Sequence, residues 1–381
     1  MNAGSSSLKV AVVAGDRLEL RAKVDRPNRN ADETRLLLED GKGREFTRHI
    51  KGKSDQISTL RSVLDSIAES FPGRAIKGVG HRVVHGGNRF LGPSLVTPEV
   101  MHELEALVPL APLHQMQNLA EIKAATFLLP GVPQVACFDT TFHAMMPKQE
   151  QMLGLPRSYF DKGVKRSGFH GLSYESISGR LPKIDPVAAV GRTVVCHLGS
   201  GASLCALSNC KSIATTMGFT PLDGLLMGTR AGAIDPGVIL YLLRQEKMTP
   251  DQVEDLIARK SGLLGVSGIS SNMRDLMSNP APEAGEAIDL FCYRVVREIG
   301  SMTAALQGLD AIVFTGGIGE NSPLVREKVC RQLHWLGVVL DQSANKAGAS
   351  RLNSAESRIS ILRIPTDEEL MIAHHVRSLI V

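Results

Sequence analysis

A chain of 381 residues exceeds what one hydrophobic core commonly holds, so two domains are expected, and 43% hydrophobic residues can supply a core for each. The 43 Lys and Arg against 39 Asp and Glu leave a net charge of only +4, and no basic block interleaved with aromatics offers a groove for nucleic acid. Six cysteines include no C-x-x-C pair, no apolar run approaches the ~20 residues of a membrane span, and no basic segment leads into an apolar leader, so a cytoplasmic protein with free thiols and no membrane partner is expected.

The chain opens on Met1-Asn-Ala-Gly-Ser-Ser-Ser-Leu-Lys9, directly before the apolar run Val10 to Val13. Gly4 tolerates positive φ, Ser5 to Ser7 add hydroxyl donors and Lys9 adds a charge, a combination that suits a nucleotide phosphate, although an ordinary Ser/Gly turn also accounts for it. Residues 10–24 and 44–50 read as strands, with Asp25 to Gly43 a loop or mobile connection. Ile57, Leu60, Val63, Leu64 and Ile67 give residues 56–70 the spacing of a helix, stopped by Pro72-Gly73. Ala75 to Gly87 reads as a strand leading into a loop. On it His81 and His85 have the offset of a zinc helix, but four strand residues separate them by roughly 13 Å, too far to share a metal. Thr97-Pro98 predicts a capped helix start, and Gln115 to Leu128 a further helix. Pro130 to Asp139 is a buried strand ending on a carboxylate, where Asp139 serves either function or a cap on the next turn.

In the second half, His170 lies between Gly168 and Gly171. Thr193 to Leu207 is an apolar run, a Gly199-Ser200-Gly201 turn and a second apolar run, the same pattern as at the start of the chain; an internal duplication giving two phosphate-facing hairpins is one economical explanation. Met217 to Gly237 lacks a regular period and holds one cation, Arg230. Thr249-Pro-Asp-Gln252 is a capping box for a helix over 250–260, ended by Gly262, and 283–307 a long packed helix. Leu309 to Phe314 is a strand opening into the glycine turn Thr315 to Asn321, with Ser322-Pro323 starting the next helix; it is neither a P-loop nor a dinucleotide fingerprint. Ile359 to Ile364 is the last strand, Thr366 and Glu369 a capping box for the terminal helix, and Glu368 a candidate Mg²⁺ ligand.

Taken together, the chain resembles the acetate kinase family of the sugar kinase, heat-shock protein and actin superfamily. The resemblance rests on Asn-Ala-Gly-Ser-Ser-Ser-Leu-Lys at 2–9, His-Arg-Val-Val-His-Gly-Gly at 81–87, Ala-Pro-Leu-His at 111–114, Phe-Asp-Thr at 138–140, Gly-Phe-His-Gly at 168–171, His-Leu-Gly at 197–199, Met-Gly-Thr-Arg at 227–230, Gly-Ile-Gly-Glu-Asn at 317–321 and Asp-Glu-Glu-Leu at 367–370. It implies an α/β fold of two related actin-like (ribonuclease H-like) domains with a nucleotide cleft between them: 1–141 plus 366–381, and a nucleotide-binding 142–365. It implies reversible transfer of the ATP γ-phosphoryl group to acetate, giving acetyl phosphate and ADP, with ATP/ADP as co-substrate and Mg²⁺ (or Mn²⁺) as cofactor. Carried over by motif, Arg82 and Arg230 would hold the carboxylate and the moving phosphoryl group, His170 would donate to the transition state and His114 would lie near it. Asp139 would orient an arginine or the metal, Asn2 and Glu368 would support the metal, and Val84 would line the acetate methyl. Lys9, His197, Leu198, Gly199, Ser200, Gly201, Asn272, Met273, Arg274, Gly317, Ile318, Gly319, Glu320 and Asn321 would bind the nucleotide, and a homodimer is implied.

Five departures from the family pattern stand out. Only Met1 precedes Asn2 where a hydrophobic strand is usual, so either the start is set too late or the sheet is compromised and Asn2 is poorly anchored. Ser200 replaces an asparagine, Asn272 and Ala233 replace aspartates, and Gln115-Met-Gln-Asn118 replaces a more proline-rich run. A propionate or other short-chain carboxylate kinase, and a nucleotide-binding homologue without transferase activity, are the alternatives.

Overall fold

The computed structural model describes residues 1–3, 7–25, 33–51 and 55–380. The Gly4-Ser5-Ser6 turn therefore lies outside the described residues, as does part of the connection after Asp25. The chain divides into two compact units, Met1–Thr141 with Asp367–Val381, and Phe142–Thr366.

The first unit begins with five antiparallel strands in chain order: β1 (Asn2–Ala3), β2 (Ser7–Ala14), β3 (Arg17–Asp25), β4 (Glu33–Asp40) and β5 (Glu45–Lys51). The expected single strand over 10–24 is two, because Gly15, at φ +59°, reverses the chain after Ala14. The expected loop holds β4, whose alternation of buried Leu36 and Leu38 is concealed in the sequence by flanking charges. Leu8, Val10, Leu20, Ala22, Leu36 and Leu38 pack against Leu60, Val63 and Ile67 of helix Gln56–Ser70. Asp55 caps that helix by accepting from Ser58 N–H at 2.7 Å.

A second sheet of this unit orders β6 (Val79–Val83), β7 (Ser94–Leu95) and β8 (Gln134–Phe138) as β6-β8-β7, with β6 and β8 parallel. The terminal helix Glu368–Ile380 packs directly onto β6. Glycine is required for that approach: a Cβ on Gly80 would lie 2.2 Å from Ile372 Cγ2, and one on Gly78 2.6 Å from Ile380 Cδ1. The helix is capped by Asp367, whose carboxylate accepts from Leu370 N–H at 3.0 Å, so the expected Thr366/Glu369 box is displaced by one residue.

In the second unit, β9 (Arg192–Leu198), β10 (Ala202–Ser208), β11 (Lys211–Thr215), β12 (Ala311–Thr315) and β13 (Ser360–Arg363) lie in the order β11-β10-β9-β12-β13. β9 and β10 form the antiparallel hairpin over Gly199–Gly201, while β12 runs parallel to both β9 and β13. Helices Gly171–Ile184 and Pro186–Val190 cover the sheet through Tyr174, Ile177, Leu181 and Ala188, and the 25-residue helix Pro282–Leu306 packs against β9, β10 and β11. The Thr249 capping box starts helix Pro250–Arg259, but Gly262 opens the next helix, Gly262–Ser267, instead of closing this one. Gly316–Asn321, expected as an open turn, is a short helix because Thr315 is followed by Gly316 at φ +77°, which bends the backbone straight from strand into helix.

Candidate functional site

Each unit assembles a cluster of candidate site residues of its own. In the first, parallel pairing of β6 and β8 brings Arg82 beside the end of β8, and Asp139 N–H donates to Val83 O at 3.0 Å. Arg82 Nε donates to Asp139 Oδ1 at 2.9 Å and Nη2 to Oδ2 at 2.6 Å, a two-point fork on a carboxylate that is 1% exposed. Burial opposes the guanidinium charge, but Asp139 and then Glu368 outweigh it and raise its pKa, so Arg82 is a permanent cation. Its Nη1 donates to Asn2 Oδ1 at 3.2 Å and stands 3.5 Å from Glu368 Oε2, while Asn2 Nδ2 donates to Glu368 Oε2 at 3.1 Å.

Asn2 is therefore firmly held, contrary to the expectation from the short N-terminus. It pairs with Lys9 across β1 and β2, is 8% exposed, and follows a Met1 whose buried amine donates to Gly80 O at 2.6 Å and whose carbonyl accepts from Arg82 N–H at 2.9 Å. Burial lowers the pKa of that amine. Val84 is buried behind Arg82, and its N–H donates to Asn118 Oδ1 at 3.1 Å; His85 N–H and C=O bind the Gln115 amide, both at 3.3 Å. Gln115 and Asn118 thus brace the backbone that carries Arg82 and Val84. His114 sits half-buried in the first turn of Pro112–Leu128, and Lys9 is exposed on β2.

In the second unit, His170 is held at φ 58° immediately before helix Gly171–Ile184. Its ring stacks on His197, centroids 4.3 Å apart, and its Nδ1 lies 2.9 Å from Ser203 Oγ. Gly201 brings the hairpin against both His170 and Arg230: a Cβ there would lie 3.2 Å from His170 Nε2 and 3.9 Å from Arg230 Nη1. Arg230 Nη1 donates to Pro221 O at 3.1 Å. Three glycine-bearing segments and the Ser271 backbone converge here, since Gly228 N–H donates to Ser200 O at 3.0 Å and Gly228 abuts Ser271 O, while Gly316 presses on Leu198 of β9 and Gly199 approaches Gly317 N. Exposed Asn272 caps Met273–Arg274 by accepting from Arg274 N–H at 3.0 Å; aspartate and asparagine cap equally well, so this departure preserves the turn. Ala233 is exposed, and its backbone N–H donates to Gly224 O at 2.9 Å.

Two side chains fix the Gly316–Asn321 helix from opposite ends. Glu320 Oε1 accepts from Gly316 N–H at 2.8 Å and from Thr366 N–H at 3.1 Å. Arg326, 1% exposed, donates to the Gly319 and Glu320 carbonyls at 2.8 and 2.9 Å and to Asn345 Oδ1 at 2.7 Å, with burial bringing its pKa down to about 10. Nothing in the local sequence marks Arg326, because its partners are carbonyls and an amide distant in the chain.

His143 supports the His170 loop: its Nε2 donates to Phe169 O at 3.0 Å and its Nδ1 accepts from Ser212 Oγ at 2.8 Å. Burial brings its pKa down to about 4, and burial, then the Met1 amine, bring that of His81 to about 3. An unfolded histidine titrates near 6.5. From pH 6.5 down to about 4 the unfolded chain therefore binds protons that the folded chain does not, and stability falls by up to ~1.4 kcal/mol per pH unit for each histidine. Thermal melting should move down by several degrees between pH 7 and pH 5, and the loss should shrink in His143→Gln; equal melting at both pH values would contradict buried neutral imidazoles.

A glycine-lined backbone cradle with a histidine and an arginine lies in one α/β unit and a forked arginine beside an amide and a carboxylate in the other, and the class of protein is a phosphotransferase of the actin-like fold. The chain belongs to the acetokinase family, whose model matches residues 1–374. It is 50% identical over 389 aligned positions to an acetate kinase of Rhodopseudomonas palustris, covering 99% of this chain and 96% of the relative, and 47% identical to one of Methylocella silvestris, covering 100% and 97%. The crystal structure of Porphyromonas gingivalis acetate kinase superposes with a TM-score of 0.88 at 35% identity, covering 100% of this chain and 98% of the other. A propionate kinase from Francisella tularensis superposes with a TM-score of 0.92 at 32% identity, covering 99% and 98%. Among the described residues no helix is long and apolar enough to cross a membrane.

Proposed function

We propose that the chain transfers the γ-phosphoryl group of ATP reversibly to acetate, giving acetyl phosphate and ADP, and that the Arg82–Asp139 fork carries the acceptor half of that reaction. Acetate is ionised near neutral pH, so no base is needed to make it a nucleophile. Asp139, doubly occupied by Arg82, is accordingly a positioning group that aims the guanidinium. Arg82 holds the acetate carboxylate and Val84 contributes to the wall against its methyl. The second unit supplies His170 as a donor and Arg230 as a cation to the phosphoryl oxygens, where charge spreads in the transition state. The nucleotide lies against segments 197–201, 272–274 and 317–321, with Lys9 near its phosphates and His114 near the transferred group.

Asn2, whose Nδ2 donates to Glu368 Oε2, offers Oδ1 as a hard oxygen ligand beside the Glu368 carboxylate, a set that fits Mg²⁺ (or Mn²⁺), which takes one or two carboxylates alongside phosphate oxygens. Bound there, the ion would neutralise phosphate charge; Arg82, 3.5 Å from Glu368, holds the carboxylate in place for it. The family resemblance supports a cytoplasmic homodimer and the two-domain assignment, with nucleotide bound by the second unit.

The test is acetyl phosphate formation from ATP, Mg²⁺ and acetate. The similarity to a propionate kinase gives propionate a specific place as the competing acceptor, because one methylene changes binding by only ~1–3 kcal/mol. A kcat/KM higher for acetate than for propionate supports the proposal, the reverse order makes the chain a propionate kinase, and ATP binding without turnover of either acid rejects transferase activity. Arg230→Ala should lower kcat by about 10²-fold or more while nucleotide affinity stays nearly constant; an equal loss in ATP binding would remove Arg230 from the reacting group.

A further inference from the structure

Behind His170 lies a short chain of hydroxyl groups that none of the motifs singled out. Ser203, on β10 and directly across from His197 on β9, places its Oγ 2.9 Å from His170 Nδ1 and 2.5 Å from Tyr174 Oη. Both hydroxyl residues are fully buried at 0% exposure. Among the described residues the Tyr174 hydroxyl meets one hydrogen-bond partner, Ser203 Oγ, and Ser203 Oγ meets two, Tyr174 and His170.

Counting protons along that chain leaves one arrangement in which every group is satisfied. Burial holds the Tyr174 pKa well above its usual value, so the phenol keeps its proton, and its one acceptor is Ser203 Oγ. Ser203 then has a single proton of its own and a single remaining partner, His170 Nδ1, to which it must donate. Were Nδ1 protonated instead, Ser203 would receive two donors and its own proton would have no acceptor among the described residues around this buried group, at a cost typical of an unmade buried hydrogen bond. A neutral imidazole that accepts at Nδ1 carries its proton on Nε2, the atom beside Gly201 and the Arg230 guanidinium.

We propose that Tyr174 and Ser203 hold His170 as the neutral Nε2–H tautomer and so aim its proton toward the phosphoryl group, a positioning role that rests on the reading of His170 as a donor above. Fixing the tautomer from behind leaves the ring unable to present a lone pair to an anionic phosphate, which would repel it. The helix supplies Tyr174 one turn beyond His170, the strand supplies Ser203, and the positive φ of His170 turns the ring between them.

The test joins ¹⁵N NMR of His170 with kinetics of the full chain. In the unsubstituted protein His170 should show a protonated Nε2 and a bare Nδ1. Tyr174→Phe frees the Ser203 proton and should give a mixture of tautomers, with kcat lowered about three- to tenfold and the KM values for ATP and acetate within twofold; Ser203→Ala should lower kcat about tenfold or more. Because the two residues act as one chain, the double variant should be no worse than Ser203→Ala alone, whereas independent packing losses would multiply. Circular dichroism and melting curves identify any variant that has simply lost its fold, and the NMR spectrum of the unsubstituted protein decides the tautomer without them. Protonation on Nδ1 in that spectrum, or multiplying losses in the double variant, overturns the proposal. Protonation on Nε2 together with an unimpaired His170→Ala enzyme supports the tautomer lock and overturns instead the role of His170 as a donor.

Discussion

Asp139→Ala is expected to stop turnover and to destabilise the first unit by about 3–5 kcal/mol, the usual loss when one member of a buried ion pair is removed and the other is left uncompensated. The carboxylate is 1% exposed and accepts from two nitrogens of Arg82. Asp139→Asn separates the two effects. Its amide keeps the volume and one acceptor oxygen, so folding should be largely retained with Arg82 still held by Asn2 and Glu368. The two-point fork is lost, however, and a guanidinium free to swing by an ångström gives up positioning worth about 10²-fold in rate. Steady-state kinetics and urea melts on both variants check this. Retention of kcat within threefold in Asp139→Asn would mean that the fork does not aim Arg82, and an unchanged melt in Asp139→Ala would contradict the buried pair.

What could be read from the sequence follows how local the signals are. The Thr249 capping box, the Gly199–Gly201 hairpin and the helices over 56–70 and 283–307 were legible because a few neighbouring residues decide them. β4 was not, since its two buried leucines are outnumbered by charges that turn outward only once β3 and β5 pair with it. The helical form of Gly316–Asn321 was also hidden: three glycines argue for an open turn, and what holds the helix is Glu320 at one end and Arg326 at the other. In the candidate site the motifs named Arg82, Asp139, Asn2 and Glu368, while their mutual geometry came from the parallel pairing of β6 with β8 and the return of the terminal helix. The bracing amides Gln115 and Asn118, and the Tyr174–Ser203 pair, depend on contacts between elements far apart in sequence and carry no local mark.

An apolar strand of about five residues fused ahead of Met1 is expected to stabilise the first unit. A cavity of about 430 Å³ lies there, lined by Val10, Val12, Leu64, Phe71, Val79 and Ile372 among others. The backbone already points into it. β1 pairs antiparallel with β2 in the register Asn2↔Lys9, so the four added residues nearest Met1 would meet Ala11 to Ala14 in turn. On the other side, the Met1 amine donates to Gly80 O and the Met1 carbonyl accepts from Arg82 N–H, the alternation of a parallel pair with β6, which is the open edge of its sheet. One strand would thus bond to two edges that no described strand pairs and join both sheets of the unit, with helix Gln56–Ser70 and helix Glu368–Ile380 contributing apolar side chains around it. Five Val or Ile side chains gain ~1.5–3 kcal/mol each on burial, against ~1–2 kcal/mol of backbone ordering per residue. A net gain of about 3 kcal/mol corresponds to a rise of ~6–12 °C in melting temperature for a domain of this size. A Gly-Ser extension of equal length, able to reach the same edges but offering no side chains, should give little of that rise. Equal melting of the two extended proteins would show that the cavity does not accept a strand. A rise confined to the apolar version, with acetyl phosphate formation retained, would show that the slot beside Asn2 and Arg82 can be filled without disturbing the residues that hold the acceptor.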